Sequence, residues 1–391
     1  MKIITRAVWI LSLVSLFTDV ASEMLYPVMP IYLKEIGFSI LLIGILEGVA
    51  EATAGLSKSY FGKLSDVSGK RLPFVRLGYL LSAFSKPMMA VFIYPLWIFF
   101  SRTIDRLGKG IRTGARDAML SDEATPETKG QVFGLHRAMD TLGAVIGPAF
   151  ALLYLYLFPG NYKALFLLAF IPGIVAISVT FLLKEAKRES RKFELTPVSF
   201  FSFVQYWKES PSTYKKLVAG LLAFTLINSS DVFLLLKIKE AGLSDTTIIG
   251  VYVFYNLVYA LAAFPLGKLS DKIGFKRTII FGFTVFAFVY LGMSISNELH
   301  EFVIMFLLYG IYAAATESVA KAWISNISEK KDIATAIGTY TGFQSVFTMI
   351  ASSFAGFLWL TLGSSSIFLF TSATTFLVIL YLIIVVNRDR R

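Results

Sequence analysis

Runs of about twenty predominantly apolar residues follow one another along nearly the whole chain, and no other feature limits its possible folds as strongly. A helix needs about 20 residues to cross a hydrocarbon core of about 30 Å. Inside that core every backbone N–H and C=O must find its partner within the protein, which leaves helices and closed barrels. Twelve spans are read, at about residues 7–33, 40–61, 73–93, 96–117, 131–157, 162–183, 216–238, 246–266, 277–296, 301–324, 334–362 and 366–387. Only 16% of the 391 residues are charged, against about 25% in a soluble domain, so no sizeable soluble domain is left over. The expected fold is all-α and integral to the membrane. The opening MKIITRAVWILSLVSLFTDVASEMLYP has no small-residue cleavage site before its polar stretch, and reads as the first helix rather than a removed signal.

The formal net charge of +11 does not point to nucleic acid, because the basic residues cluster in short loops between apolar runs. Lys63, Lys70, Arg71, Lys268, Lys272, Lys276, Arg277, Lys330, Lys331, Arg388, Arg390 and Arg391 fall on one side. The other side holds little more than Lys34, Lys163 and Lys239. With an even number of spans, both termini are expected in the cytoplasm of what reads as a prokaryotic cell membrane protein. The chain contains no cysteine, so disulfides, thiolate metal sites and thiol catalysis are excluded.

One phrase occurs twice, GKLSDVSGKR at 62–71 and GKLSDKIGFKR at 267–277. The offset is 267 − 62 = 205, and it also pairs LKEIGFS at 33–39 with IKEAGLS at 238–244. An offset of 337 − 133 = 204 pairs FGLHRAMD with IGTYTGFQ. The chain is therefore an internal duplication: residues 1–183 and 216–391 form two pseudo-symmetric six-helix bundles, joined by a basic linker at 184–215 that contains Pro197 and Pro211. SFFSFVQYW within the linker suits a short amphipathic helix on the membrane surface. Parallel repeats of this kind are a transporter architecture, with substrate held near mid-membrane.

Twelve spans, two halves and the doubled loop motif resemble the major facilitator superfamily over the whole chain. The resemblance implies two bundles that rock about a central cavity, with the loop motif acting as a conformational latch. Carried onto this sequence, Gly62 and Gly267 allow close helix packing. Asp66 and Asp271 face the positive amino end of a helix in the other half, and Arg71 and Arg277 complete a charge cluster that forms and breaks. Gly143, Gly147 and Pro148 in the fifth span look like the motif of proton-antiporting exporters, although Ala149, Phe150 and Ala151 stand where further glycines are common. Ordinary small-residue packing would explain the same residues.

Ionisable groups inside membrane helices are costly, so they mark functional or partnered positions. Asp19 with Glu23, and Glu47 with Glu51, lie four residues apart and so share a helix face. Arg102, Asp105, Lys109, Arg112 and Arg116 form one stripe with Arg106 beside it, and the fifth span adds His136, Arg137 and Asp140. Asp19, Glu51, Asp105, Arg106, Arg137 and Asp140 fall near mid-depth, whereas Arg112 and Arg116 read as gating residues or surface anchors. Lys86 is expected either to pair with Asp19 or Asp105 or to snorkel. The second half holds Asn228, Tyr252 and Asn256 at the positions of Glu23, Glu47 and Glu51, and Tyr340, Thr341 and Gln344 at those of His136, Arg137 and Asp140. Charge there has given way to neutral hydrogen-bonding groups, with Asp231 and the i, i+4 pair Glu317 and Lys321 as exceptions.

The expected function is secondary active transport of a small organic or amphipathic solute by a monomer, with Asp19, Glu23, Glu51 and Asp140 as candidates to carry protons and His136 as a further titratable group. Export is favoured over uptake. A static salt-bridge network is the bland explanation of the same charges. Metal or metal-chelate export through Asp19, Glu23, His136 and Asp140 is a second reading. A lipid-modifying enzyme using His136 and Asp140 is a third, but no nucleophile, phosphate loop or metal motif accompanies them. No cofactor or resident metal is expected.

Overall fold

A computed structural model describes residues 4–26, 28–29, 32–33, 36–38, 40–185 and 202–386. Its described residues form α-helices joined by short turns: α1 (Arg6–Glu23), α2 (Ile40–Ser68), α3 (Leu72–Val91), α4 (Pro95–Asp122), α5 (Lys129–Leu157), α6 (Tyr162–Thr180), α7 (Ser202–Glu209), α8 (Ser212–Ile227), α9 (Val232–Glu240), α10 (Asp245–Ile273), α11 (Phe275–Met293), α12 (Leu299–Ile327), α13 (Ile333–Leu362) and α14 (Ser364–Val385). The 184–215 linker is described only at its ends, where the expected amphipathic helix is α7. Lys34, Arg388, Arg390 and Arg391, and the side chains of Glu47 and Glu51, lie outside the described set.

Local chemistry sets the boundaries. Thr5 and Ser244 accept N–H bonds from Val8 and Thr247 at the starts of α1 and α10, satisfying donors that a helix start leaves unpaired. The second glycine of each repeated phrase makes the turn that follows it: Gly69 has φ 66° and Gly274 φ 96°, in the region where a side chain is strained. Many large apolar side chains face outward, Leu96 at 84% and Leu360 at 87% exposure, as suits helices solvated by lipid tails rather than water.

Two spans are interrupted within their length. The first, read at 7–33, breaks after Glu23 into a turn at Met24–Tyr26, and Met29, Tyr32 and Leu33 are helical again. Met24, Leu25, Val28, Met29, Tyr32 and Leu33, at and beyond the turn, pack into an apolar cluster with Met89, Ile98, Leu165 and Phe166, where Tyr32 meets Phe166 edge-on at 4.9 Å between centroids. The seventh, read at 216–238, lies within one apolar span, Ser212–Glu240, whose helix is interrupted between Ile227 and Val232. The freed Ser230 N–H donates to Ser352 at 3.1 Å, and the Ile227 carbonyl accepts from Thr371 at 3.3 Å, so neighbouring helices satisfy the backbone opened by the break.

Two compact units are present. The first comprises Met1–Glu123, Met139–Glu209 and Ser328–Gly342; the second comprises Ala124–Ala138, Ser210–Ile327 and Phe343–Arg391.

Candidate functional site

In the first unit, α5 lies close against α1 because two glycines leave room for it. A Cβ on Gly143 would stand 2.6 Å from the Leu16 carbonyl oxygen, and one on Gly147 would stand 2.7 Å from the Val20 oxygen. No larger residue fits without separating the helices. This approach brings Asp140 against α1, where its carboxylate accepts from the Ser15 hydroxyl at 2.5 Å. Asp19 stands beside Asp140, Glu23 and Lys109. Arg116 donates to Ser15 at 3.3 Å and pairs with the neighbouring Asp117 at 2.9 Å. The small-residue motif of the fifth span is thus what makes a two-carboxyl contact possible.

Asp105 serves differently. Its carboxylate takes Lys86 Nζ at 2.5 Å and the Ser85 hydroxyl at 3.3 Å, all three groups being buried. Of the alternatives open in the sequence, Lys86 therefore pairs with Asp105. Arg102 and Arg106 are buried beside it. Arg112 and Arg116 are only 4% and 8% exposed, which corrects the surface-anchor reading. Arg112 donates to Ser82 and lies over the Tyr79 ring at 4.6 Å. The stripe on α4 is consequently turned into protein, and Lys109 is its exposed member. His136 is buried.

The second unit gathers the remaining charges. Arg137 bonds Glu317 and the Tyr259 hydroxyl, with its guanidinium 4.9 Å from the Tyr259 ring centroid. The i, i+4 spacing of Glu317 and Lys321 gave no hint of that long-range pair. At the break in the seventh span, Tyr309 donates to Asp231 at 2.7 Å and Asn228 donates to Tyr312 at 3.1 Å. Asn256 turns back to its own helix, donating to the Tyr252 carbonyl at 3.0 Å. Tyr340 is buried, and Gln344 half-buried, on α13.

Both copies of the repeated phrase cap a helix. Asp66 accepts the Thr335 N–H at 2.7 Å and its hydroxyl at 2.8 Å, in the first turn of α13. Asp271 accepts the Gly130 and Gln131 N–H groups at 2.7 and 2.8 Å, in the first turn of α5. Each carboxylate thus meets unpaired donors and the positive end of a helix dipole. Gly62 and Gly267 lie against the Ala334 and Gly130 carbonyls with no space for a Cβ.

The copies differ at the basic residue. Arg71 is buried, 3.0 Å from Asp66 and 3.6 Å from Asp122. Arg277 is exposed and holds no carboxylate among the described residues, which corrects the expectation of a second charge cluster. In repeat register Arg71 matches Lys276 (71 + 205 = 276), and Lys276 caps the end of α14 at the Ile383 and Val386 carbonyls. At the same register Phe275 stands in place of Lys70 and a lysine in place of Arg71, so the second phrase has no guanidinium at the position that reaches Asp66 in the first.

Asp66 lies beyond the apolar part of α2, and burial pushes its carboxyl up to about 6 against the opposing pull of Arg71 and Thr335. Its ordinary value is about 3.9, so the buried arrangement binds the extra proton. The resulting stabilisation is full below about pH 4 and is lost as pH rises through about 6. Acidification across that window is expected to slow labelling of a cysteine placed at buried Ala334, and Asp66→Asn is expected to flatten the profile.

A repeated sequence with ionisable groups in its apolar spans is an arrangement found in membrane transporters. The sequence profile of the Major Facilitator Superfamily matches residues 11–255 and 217–391, and the chain belongs to that superfamily. It is 31% identical over 362 residues to an uncharacterized MFS-type transporter of Methanocaldococcus jannaschii, covering 91% of this chain and 89% of that one. It is 24% identical to the multidrug resistance protein MdtG of Proteus mirabilis, over 93% and 92% of the two chains. Among solved structures, the human organic anion transporter MFSD10 superposes with a TM-score of 0.80 at 16% identity, covering 96% of this chain and 99% of that one. The protein is a membrane transporter and not an enzyme.

Proposed function

We infer that the chain exports a small organic or amphipathic solute in exchange for protons, acting as a monomer in a cell membrane with both termini in the cytoplasm. The observation that carries the coupling is the contact of Asp19 with Asp140 across the glycine-packed α1 and α5. Arg116 stands one hydroxyl away, through Ser15. A small slide of α5 along α1 exchanges Asp19 for Arg116 as the neighbour of Asp140. In the first position the carboxyl pair retains a proton, and in the second Asp140 is ionised, so the proton is taken up and released as the helices move. Similarity to a multidrug resistance protein supports export, and the basic loops support the orientation.

The test is flux in proteoliposomes with an internal pH dye, using compounds first selected by thermal shift. Addition of substrate is expected to move protons. Asp19→Asn and Asp140→Asn are each expected to cut that signal by about tenfold or more, as loss of a proton carrier does, with ligand binding retained. Undiminished coupling in Asn or Gln variants of Asp19, Glu23, Glu51 and Asp140 would sink the assignment.

A further inference from the structure

We propose that Asp117 is a positioning residue: it holds the Arg116 guanidinium off Asp140, and so decides whether Asp140 can keep a proton. This concerns the regulation of the site given above and rests on Asp140 as its proton carrier. Arg116 and Asp117 are neighbours in α4, and side chains one residue apart on a helix do not face each other. The guanidinium nevertheless turns back, and its Nε and Nη2 both donate to a single oxygen of Asp117, at 3.0 and 2.9 Å. Its Nη1 donates to Ser15 at 3.3 Å, and the Ser15 hydroxyl donates to Asp140 at 2.5 Å. One arginine is thus divided between a carboxylate of its own helix and a hydroxyl that leads to a carboxylate of α5.

Ser15, Arg116, Asp117 and Asp140 are all buried, Asp117 completely. A buried cation deprived of one carboxylate is driven to the next, because an uncompensated charge is costly there, and Asp140 is one hydroxyl away. The groups acting on Arg116 are Asp117 first, then Tyr79 of α3 and Asp140, and the Tyr79 ring already carries Arg112 at 4.6 Å. Asp19, with Glu23 and Lys109 beside it, faces Asp140 from α1. From α2, the backbone of Lys58 lies against Gly110 and Gly114, and His136 precedes Asp140 by one turn of α5. The repeat isolates Asp117 further. At the offset of 205 the places of Arg116 and Asp117 are taken by Lys321 and Ala322 (117 + 205 = 322). The competing acid occurs in the half that has Asp140 and is replaced in the half that has Gln344.

The test reads Asp140 directly, through the infrared carboxyl C=O band of the full chain in liposomes titrated with pH, so that no transported solute is required. A titrating band that is absent from Asp140→Asn identifies the group. In Asp117→Asn the arginine is expected to pass to Asp140, and the midpoint of the band to fall by about one pH unit or more. Arg116→Gln is expected to raise the midpoint, and Asp117→Asn added to Arg116→Gln to change it no further, because Asp117 acts through the arginine. Asp117→Glu keeps the charge and is expected to recover most of the shift. Thermal midpoints show which variants are folded, and Asp117→Ser repeats the measurement if the asparagine variant is not. An unmoved midpoint in folded Asp117→Asn or Asp117→Ser overturns the proposal, as does an equal shift in the Arg116→Gln background or the lack of any band that depends on Asp140. The coupling reading fails separately. A band that shifts as expected in a protein whose flux moves no protons supports this role and removes the coupling alone, whereas proton flux that depends on Asp140 beside a band indifferent to Asp117 removes this role alone.

Discussion

Asp105→Asn is expected to lower the free energy of unfolding by about 3–5 kcal/mol, the cost of breaking a buried pair and leaving its partner charged. The neighbourhood makes the effect lopsided. Asp105 is the carboxylate among Lys86, Arg102 and Arg106, so neutralising it leaves buried cations facing one another. Lys86→Met removes one of them and leaves Asp105 with two arginines, and it is expected to cost less. Lys86→Met combined with Asp105→Leu replaces the pair by apolar side chains, which is often neutral, and is expected to recover more than half of the single-variant loss. Urea or thermal unfolding in detergent measures all three. A double variant no more stable than Asp105→Asn would show that the pair is not an isolated structural unit.

Gly267→Val is expected to free the first turn of α5. A side chain there overlaps the Gly130 carbonyl, and the shift that relieves it pulls Asp271 from the Gly130 and Gln131 N–H groups. The chain has no cysteine, so a single reporter needs no prior removal of thiols. Val132, fully buried one turn into α5, is the position for it. Val132→Cys is expected to react with a maleimide at least about tenfold faster in the Gly267→Val background, which corresponds to ~1.4 kcal/mol lost from the docked form. Transport should fall in parallel. The matching change at Gly62 is expected to act less strongly on α13, because Asp66 retains Arg71 and the Thr335 hydroxyl. Equal labelling rates in the two backgrounds would mean that the phrase does not hold the helix start.

The latch was legible because a duplication writes it twice: Gly62 and Asp66 could be laid on Gly267 and Asp271 without any structure. Lys86 and Asp105 were legible as a possibility, since costly groups seek one another, but spacing along two different helices does not choose between Asp19 and Asp105. The interruptions at Glu23 and Ile227 escaped notice because hydropathy measures how apolar a run is, not whether its backbone stays helical. Nothing near Glu317 in sequence pointed to Arg137, which lies 180 residues away. The inward turn of Arg112 and Arg116 was missed for a related reason. Their depth along α4 can be counted, but the face they occupy depends on Tyr79, Ser82 and Ser15, supplied by other helices.

The interruption of α1 after Glu23 and that of the seventh span after Ile227 fall at matching places in the repeat: Glu23 plus the offset of 205 is Asn228, the residue that follows Ile227. The two bends are filled differently, one with methionine, leucine and tyrosine and the other with asparagine, serine and aspartate. A bend that recurs with the repeat while sharing no side chain belongs to the path of the backbone rather than to any one contact made there.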